Sequence, residues 1–332
     1  MILEKKYDCV EYIDEPTFDL SLGRLCAYFD YYTNQDIQPI FCLTENTQPT
    51  RDFDDYVYIC TEHYSHLRNV LIFINDKFYF DILESSGFTN VNRVYGNAAV
   101  GFDLTINEFI DKFELSINDI KFKFQRLSNS RHDHNYYIMD FLKQNNLLKE
   151  TMWSYLNGGK FYYNFNRFLG INRESDYKIF DEKRVCGTTE SADMDKSAIK
   201  LVQKCGIVIN CESSYHRHGP CYSEKLVKCA LAGRPFIEVS TAGTIEDLHQ
   251  IGISTFPDLI DESFDKILDP KKRIEKICDE IQRLAKYDIQ YIKDYITEHH
   301  EILQNNFNVF KNMHNELKNN NIDSVILEKT EN

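Results

Sequence analysis

Residues 206–252, GIVINCESSYHRHGPCYSEKLVKCALAGRPFIEVSTAGTIEDLHQIG, decide the fold. The opening GIVIN (206–210) is an apolar, β-branched run too short for a helix, which predicts a buried strand. A polar loop over 212–222 carries His216 and His218 and leads to Ser223. Ser223 has the chemistry of a helix N-cap, because its hydroxyl accepts a hydrogen bond from an amide that the first turn leaves unpaired. The helix it opens places Leu226, Val227, Ala230 and Leu231 on one stripe and stops at Gly233. Pro235 cannot continue a helix, and FIEV (236–239) re-enters the sheet. Strand, crossover helix and strand in this order predict a parallel sheet, whose ligands lie beyond the carboxyl ends of its strands.

That topology gathers Glu212, the loop holding His216, His218 and Tyr222, and then Ser223, Glu224 and Lys225 at the ligand-binding edge. A helix N-terminus offers unpaired amides and partial positive charge. Lys225 in the first turn adds a full charge, a combination suited to a phosphate or pyrophosphate. A carboxylate such as Glu212 or Glu224 accepts two hydroxyl hydrogens, which suits ribose or sugar. Spacing alone equally allows Glu224 to do no more than favour the helix dipole and pair with Lys228 at i,i+4.

These residues carry a resemblance. The run 211–239, CESSYHRHGPCYSEKLVKCALAGRPFIEV, is similar to the donor-binding segment of α1,3-fucosyltransferases. There an acidic strand end, Phe-Glu-Asn, leads through a loop to Tyr-Thr/Ser-Glu-Lys and a helix ending in small residues. Glu212, Tyr222, Ser223, Glu224 and Lys225 fall on the matching positions. The run also resembles a set of phage and bacterial proteins of the same GT-B-like kind, whose acidic Asp-Glu-Ser-Tyr/Phe-Asp element recurs here at Asp261, Glu262, Ser263, Phe264 and Asp265. The resemblance covers roughly residues 121–273 and leaves the N-terminal third unmatched. It implies two Rossmann-like domains facing a cleft, with a nucleotide-sugar donor held by the second.

The length agrees with two domains, since 332 residues exceed one ordinary core. No apolar run approaches a membrane span, and the N-terminus lacks a secretory pattern. Ten cysteines are scattered without Cys-x-x-Cys pairs, several inside apolar runs (Cys26, Cys42, Cys60, Cys229), as expected of buried reduced thiols in a cytoplasmic protein. Charge is uneven: residues 1–120 hold 21 acidic against 8 basic side chains, within an overall net of −14. An acidic first domain argues against a surface that follows a phosphate backbone, where binding depends on Lys and Arg releasing counterions.

Residues 1–119 read as an acceptor-side α/β domain. Strands are predicted at 7–13, 39–43, 56–60, 70–74 and 91–95, with helices at 18–32 and 77–84, the latter closed by Gly87. No dinucleotide-binding glycine motif or P-loop occurs. An inverting transfer needs a general base to take the acceptor's hydroxyl proton. In the resembled family a first-domain carboxylate does this; by position at strand ends the candidates here are Glu62 and Glu45, with His63 behind them.

Residues 120–290 form the expected donor domain. A strand at 121–127 leads to a helix capped by Ser130 or Asp133, with Ile138, Phe141, Leu142 and Leu147 on its buried face. The Ser128-Asn129 strand end again resembles the fucosyltransferase donor domain, which makes Asn129 a donor-site candidate. In that family an Arg just before the helix grips the pyrophosphate, but Asn135 stands at the best-aligned position here. Either Arg131 substitutes, its planar fork bonding two phosphate oxygens, or the donor is held differently.

Residues 153–184 are aromatic and polar without clear period, a site-lining excursion or a core cover. A helix at 197–204 precedes the central strand. The pairs His132/His134 and His216/His218 match no zinc spacing, and Asp52/Asp54 and Asp193/Asp195 follow no buried strand, so no metal is expected. Residues 291–332 supply C-terminal helices and a loose tail. The chain is thus expected to be a metal-independent glycosyltransferase without resident cofactor, moving sugar to a glycan, small-molecule or modified-DNA hydroxyl. Alternatives are a phage-type enzyme acting on hydroxylated pyrimidines and a non-catalytic nucleotide-sugar-binding module.

Overall fold

The computed structural model describes residues 40–43, 71–74, 81, 83–85, 87, 91–93, 112–128, 132–155, 196–212, 215, 219–220 and 223–319. The chain divides into two compact units. One comprises 1–100, 217–223 and 313–332; the other comprises 101–216 and 224–312. The first contains a three-stranded parallel sheet of β1 (Ile40–Leu43), β2 (Leu71–Ile74) and β3 (Val91–Arg93), in that order. The predicted strands at 39–43, 70–74 and 91–95 coincide with these, and those at 7–13 and 56–60 lie outside the described residues.

The second unit is built on β4 (Phe122–Ser128), β5 (Thr151–Tyr155), β6 (Cys205–Cys211) and β7 (Phe236–Val239). All four run parallel in the order β5-β4-β6-β7. The helices are α1 (Asp133–Gln144), α2 (Lys196–Gln203), α3 (Glu224–Ala232), α4 (Thr244–Gln250), α5 (Pro270–Leu284), α6 (Ile289–Glu298) and α7 (His300–Asn319). From β4 the chain steps outward to β5 and then crosses back to β6. The direction of winding therefore reverses between β4 and β6, and their carboxyl ends border the crevice where such sheets take ligands.

Local chemistry explains most boundaries. The wholly buried β6 and β7 are short apolar runs, as expected of parallel strands covered on both faces. At the end of α3, Gly233 takes φ +62°, and a Cβ there would lie 3.0 Å from Phe113 and Leu115 side-chain atoms. The carboxylate of Asp269 accepts the Lys272 amide at 2.8 Å, with Pro270 at the first helical position, so α5 starts where proline's missing N–H costs nothing. Its stripe Ile274, Ile277, Ile281 and Leu284 is fully buried, each side chain worth about 1.5–3 kcal/mol of transfer free energy. The packing runs α5 on α1 and β7, and α6 on β4 and β6.

The buried Arg234 donates to the carbonyls of Cys205, Ala232, Gly233, Ser116 and Gln203 and thereby ties the sheet's amino edge to the ends of α2 and α3. Cys205, Cys211, Cys229 and Cys278 are buried free thiols, and burial pushes Cys211 up to about 11.

Three sequence expectations are corrected. The cap of α1 is His132, in extended geometry and without a side-chain cap bond, so neither Ser130 nor Asp133 holds that position. Leu147 is not on α1: Asn146 turns left-handed at φ +58° and starts a short 3₁₀ turn, Leu147–Glu150. The stretch TMWSY, where no strand was predicted, is β5, because parallel pairing with β4 supplies the backbone partners that its weak alternation does not announce.

Candidate functional site

The site is built at the carboxyl ends of β4, β6 and β7. Asn210, near the end of β6, is the register partner of Glu238 on β7. The Asn210 amide nitrogen donates to both carboxylates beside it, reaching Glu238 Oε2 at 2.6 Å and Glu212 Oε1 at 3.2 Å. Across the first turn of α3, the Lys225 ammonium approaches Glu212 Oε2 at 3.4 Å. Glu212 is 1% exposed and Lys225 34%, so the pair is anchored inside the protein and reaches solvent through its cation. Burial, and next the neighbouring Glu212 carboxylate, push the Glu238 carboxyl well above the ordinary carboxylate range.

Beside this cluster, the buried Arg126 of β4 donates to Asn135 Oδ1 in the first turn of α1 and to the Leu127 carbonyl. Asn135, which stands where the resembled family has its pyrophosphate-gripping Arg, is therefore itself held by a guanidinium that comes from the strand.

A third group locks the loops that follow the strands. The His132 and His134 rings stack at 5.4 Å, and His134 stacks on Tyr215 at 4.8 Å. The Arg273 guanidinium lies over the Tyr215 ring, 4.5 Å from its centre. From α5, Arg273 donates to the carbonyls of Tyr215 (2.9 Å), Ser240 (3.0 Å) and Ile267 (2.8 Å), and the Tyr215 hydroxyl donates to the Pro270 carbonyl at 2.5 Å. One side chain thus fastens the loops after β6 and β7. His134 lies within α1 and is fully buried.

The acidic element 261–265 is structural in each of its described contacts. Asp261 accepts the Ser263 amide and pairs with Lys276 at 2.8 Å. Glu262 accepts from Thr255 Oγ1 and the Phe256 amide. Asp265 accepts the Ile245 and Glu246 amides and so supplies α4 with the cap its own Gly243 lacks.

Of the residues singled out in the sequence, Glu212 and Lys225 are brought together, and Ser223 is a buried residue directly before the first residue of α3. Glu224 opens α3. Glu45, Glu62, His63, Asn129, Arg131, His216, His218 and Tyr222 lie outside the described residues. Asn210, Glu238, Arg126 and Arg273 were missed. A Glu within FIEV and an Asn within GIVIN were the available signals, because a polar residue inside a buried apolar strand needs a dedicated partner.

Among the described residues no group of three or more His, Cys, Asp or Glu side chains is placed to hold a metal ion. Among those residues too, no helix is long and apolar enough to cross a membrane. No family model matches the chain. No curated protein matches it. Two solved structures of HepE from Anabaena, in complex with UDP-glucose and with UDP, align with 85% of this chain and 77% of theirs at 11% identity, with TM-scores of 0.36 and 0.37. Likenesses of that size leave the function to be argued from the residues.

Proposed function

We propose that the chain is a nucleotide-sugar-dependent glycosyltransferase of GT-B type, with Lys225 as counter-charge to the diphosphate of the donor. One observation carries this reading: a half-buried lysine, anchored by Glu212, sits in the first turn of the helix that follows the central strand of a doubly wound sheet. Negative charge grows on the leaving diphosphate as the sugar departs. A fixed ammonium beside helix amides stabilises that charge without needing to reorganise. Ser223 and Glu224, at the same helix end, contribute its amides and a hydroxyl-binding carboxylate, and Tyr222, Arg131, Asn129, His216 and His218 complete the donor site. Glu62, Glu45 or His63 supplies the general base, which gives an inverting, metal-independent transfer to a glycan, small-molecule or modified-DNA hydroxyl.

A second reading, a nucleotide-sugar-binding module without turnover, is favoured by one observation: Asn135 replaces the gripping Arg and is occupied by Arg126.

The test is a thermal-shift screen with UDP-, GDP-, CMP- and dTDP-sugars, followed by nucleotide-release assays with and without acceptors. One nucleotide series should raise the unfolding midpoint, by about 2.7 kcal/mol of stability at a hundredfold excess over Kd. Lys225→Ala should abolish that shift. Stabilisation without nucleotide release selects the module; stabilisation by none of the four series overturns both readings.

A further inference from the structure

Two carboxyl groups share one amide nitrogen in this site. Asn210 has two N–H bonds and uses one on Glu212 and the other on Glu238. Both carboxyls are buried, and groups this close inside a protein do not both ionise. The geometry says which one carries the charge: Lys225 lies against Glu212 Oε2, whereas no cation among the described residues pairs with Glu238. The second Glu238 oxygen, Oε1, is buried without a hydrogen-bond partner, a placement costly for an ionised carboxylate and much less so for a neutral acid. The raised affinity of Glu238 for its proton agrees.

We propose that Glu238 is a positioning residue for Lys225: with Asn210 and Glu212 it forms a buried unit of single negative charge that aims the Lys225 ammonium at an anionic group bound at the head of α3. Neutral Glu238 accepts one Asn210 N–H and so fixes the amide plane. The other N–H then pins Glu212 Oε1, which turns Oε2 toward the lysine. The chain of contacts explains why a glutamate stands in the middle of the wholly buried β7. This rests on the reading of Lys225 as a diphosphate counter-charge, and the test separates the two.

The Lys225 ammonium is followed by lysine-selective nitrogen NMR in the full chain, and inorganic pyrophosphate is titrated as the anionic probe. Glu212→Gln should lower the pH at which the Lys225 ammonium titrates by about one unit or more, because the carboxylate beside it is gone. Glu238→Leu should displace the Lys225 resonance and weaken pyrophosphate binding by about fivefold, the worth of one hydrogen bond. Glu238→Gln keeps the acceptor and the neutrality, and should restore both. A Lys225 resonance indifferent to Glu238→Leu overturns the proposal. So does a Glu238→Gln variant that shifts the lysine titration as Glu212→Gln does, since the charge would then reside on Glu238. Should Glu238→Leu fail to fold, the two glutamine variants decide. Absence of pyrophosphate binding by the wild type refutes the donor-site reading alone, with the NMR comparison still judging the positioning unit.

Discussion

Gly206 is the second residue of β6, at a point where the helix α6 touches the sheet, and Gly206→Ala measures how tightly the two are fitted. A Cβ added there would lie 2.6 Å from Ile292 Cγ2 and 3.2 Å from the Lys123 carbonyl oxygen on β4. Carbon pairs rest about 3.5–4.0 Å apart, so about 1 Å must be found. At Gly206 strand β6 is held against β4, whose Lys123 carbonyl already crowds the added carbon, which leaves the fully buried Ile292 and its helix to move. Overpacking of this kind costs about 1–3 kcal/mol. The alanine recovers about 0.4–1 kcal/mol by restricting the unfolded chain, which leaves a net destabilisation of up to about 2.5 kcal/mol. Ile292→Ala alone should cost about 2–5 kcal/mol. Because it also removes the clashing methyl, the double variant should cost less than the sum of the singles by about 1–2 kcal/mol. Urea unfolding followed by fluorescence suits the measurement, since the protein's one tryptophan, Trp153, lies on β5 of this sheet. Costs that add within about 0.5 kcal/mol would show that Gly206 and Ile292 do not meet as described, and the argument would fall.

Arg273→Met takes the guanidinium donor from the Tyr215, Ser240 and Ile267 carbonyls and should cost about 1–3 kcal/mol for each one left unsatisfied, read by urea unfolding; Arg273→Lys should recover less than half, because one ammonium lacks the planar fork that serves all three. Glu238 keeps its proton in the native state after the unfolded chain has lost it near 4.5, so its contribution is fully present below that pH and disappears as pH rises toward its native value. Glu238→Gln should therefore flatten the fall of melting temperature above pH 4.5, and an unchanged profile would contradict the assignment. Asp261 has the opposite sign: Lys276 and Ser263 hold it at about 2, so its contribution exists above 3.8 and is lost as pH falls through about 2, and Asp261→Asn should destabilise at neutral pH but not at pH 2. Asp265→Ala should speed hydrogen exchange at the Ile245 and Glu246 amides and cost about 1–3 kcal/mol, with Asp265→Asn intermediate.

The elements were legible because their signals are local. Gly233 and Pro235 close α3, and the GIVIN and FIEV runs mark β6 and β7, each through a backbone rule that acts within a few residues. That Lys225 and Glu212 come together was legible because a strand-loop-helix unit puts a strand end and a helix start at one edge, whatever surrounds them. Tertiary structure decided the rest. Strand β5 exists through its pairing with β4, the Asp265 cap on α4 spans nineteen residues or more, and Arg273 joins loops that follow two different strands. The sharing of Asn210 between Glu212 and Glu238 needs β6 and β7 side by side in one register, a relation between residues 28 apart in the chain. Periodicity and capping report what each residue does with its near neighbours; which of two buried carboxyls keeps its proton depends on the charges that folding brings alongside, and that is set only when the sheet is assembled.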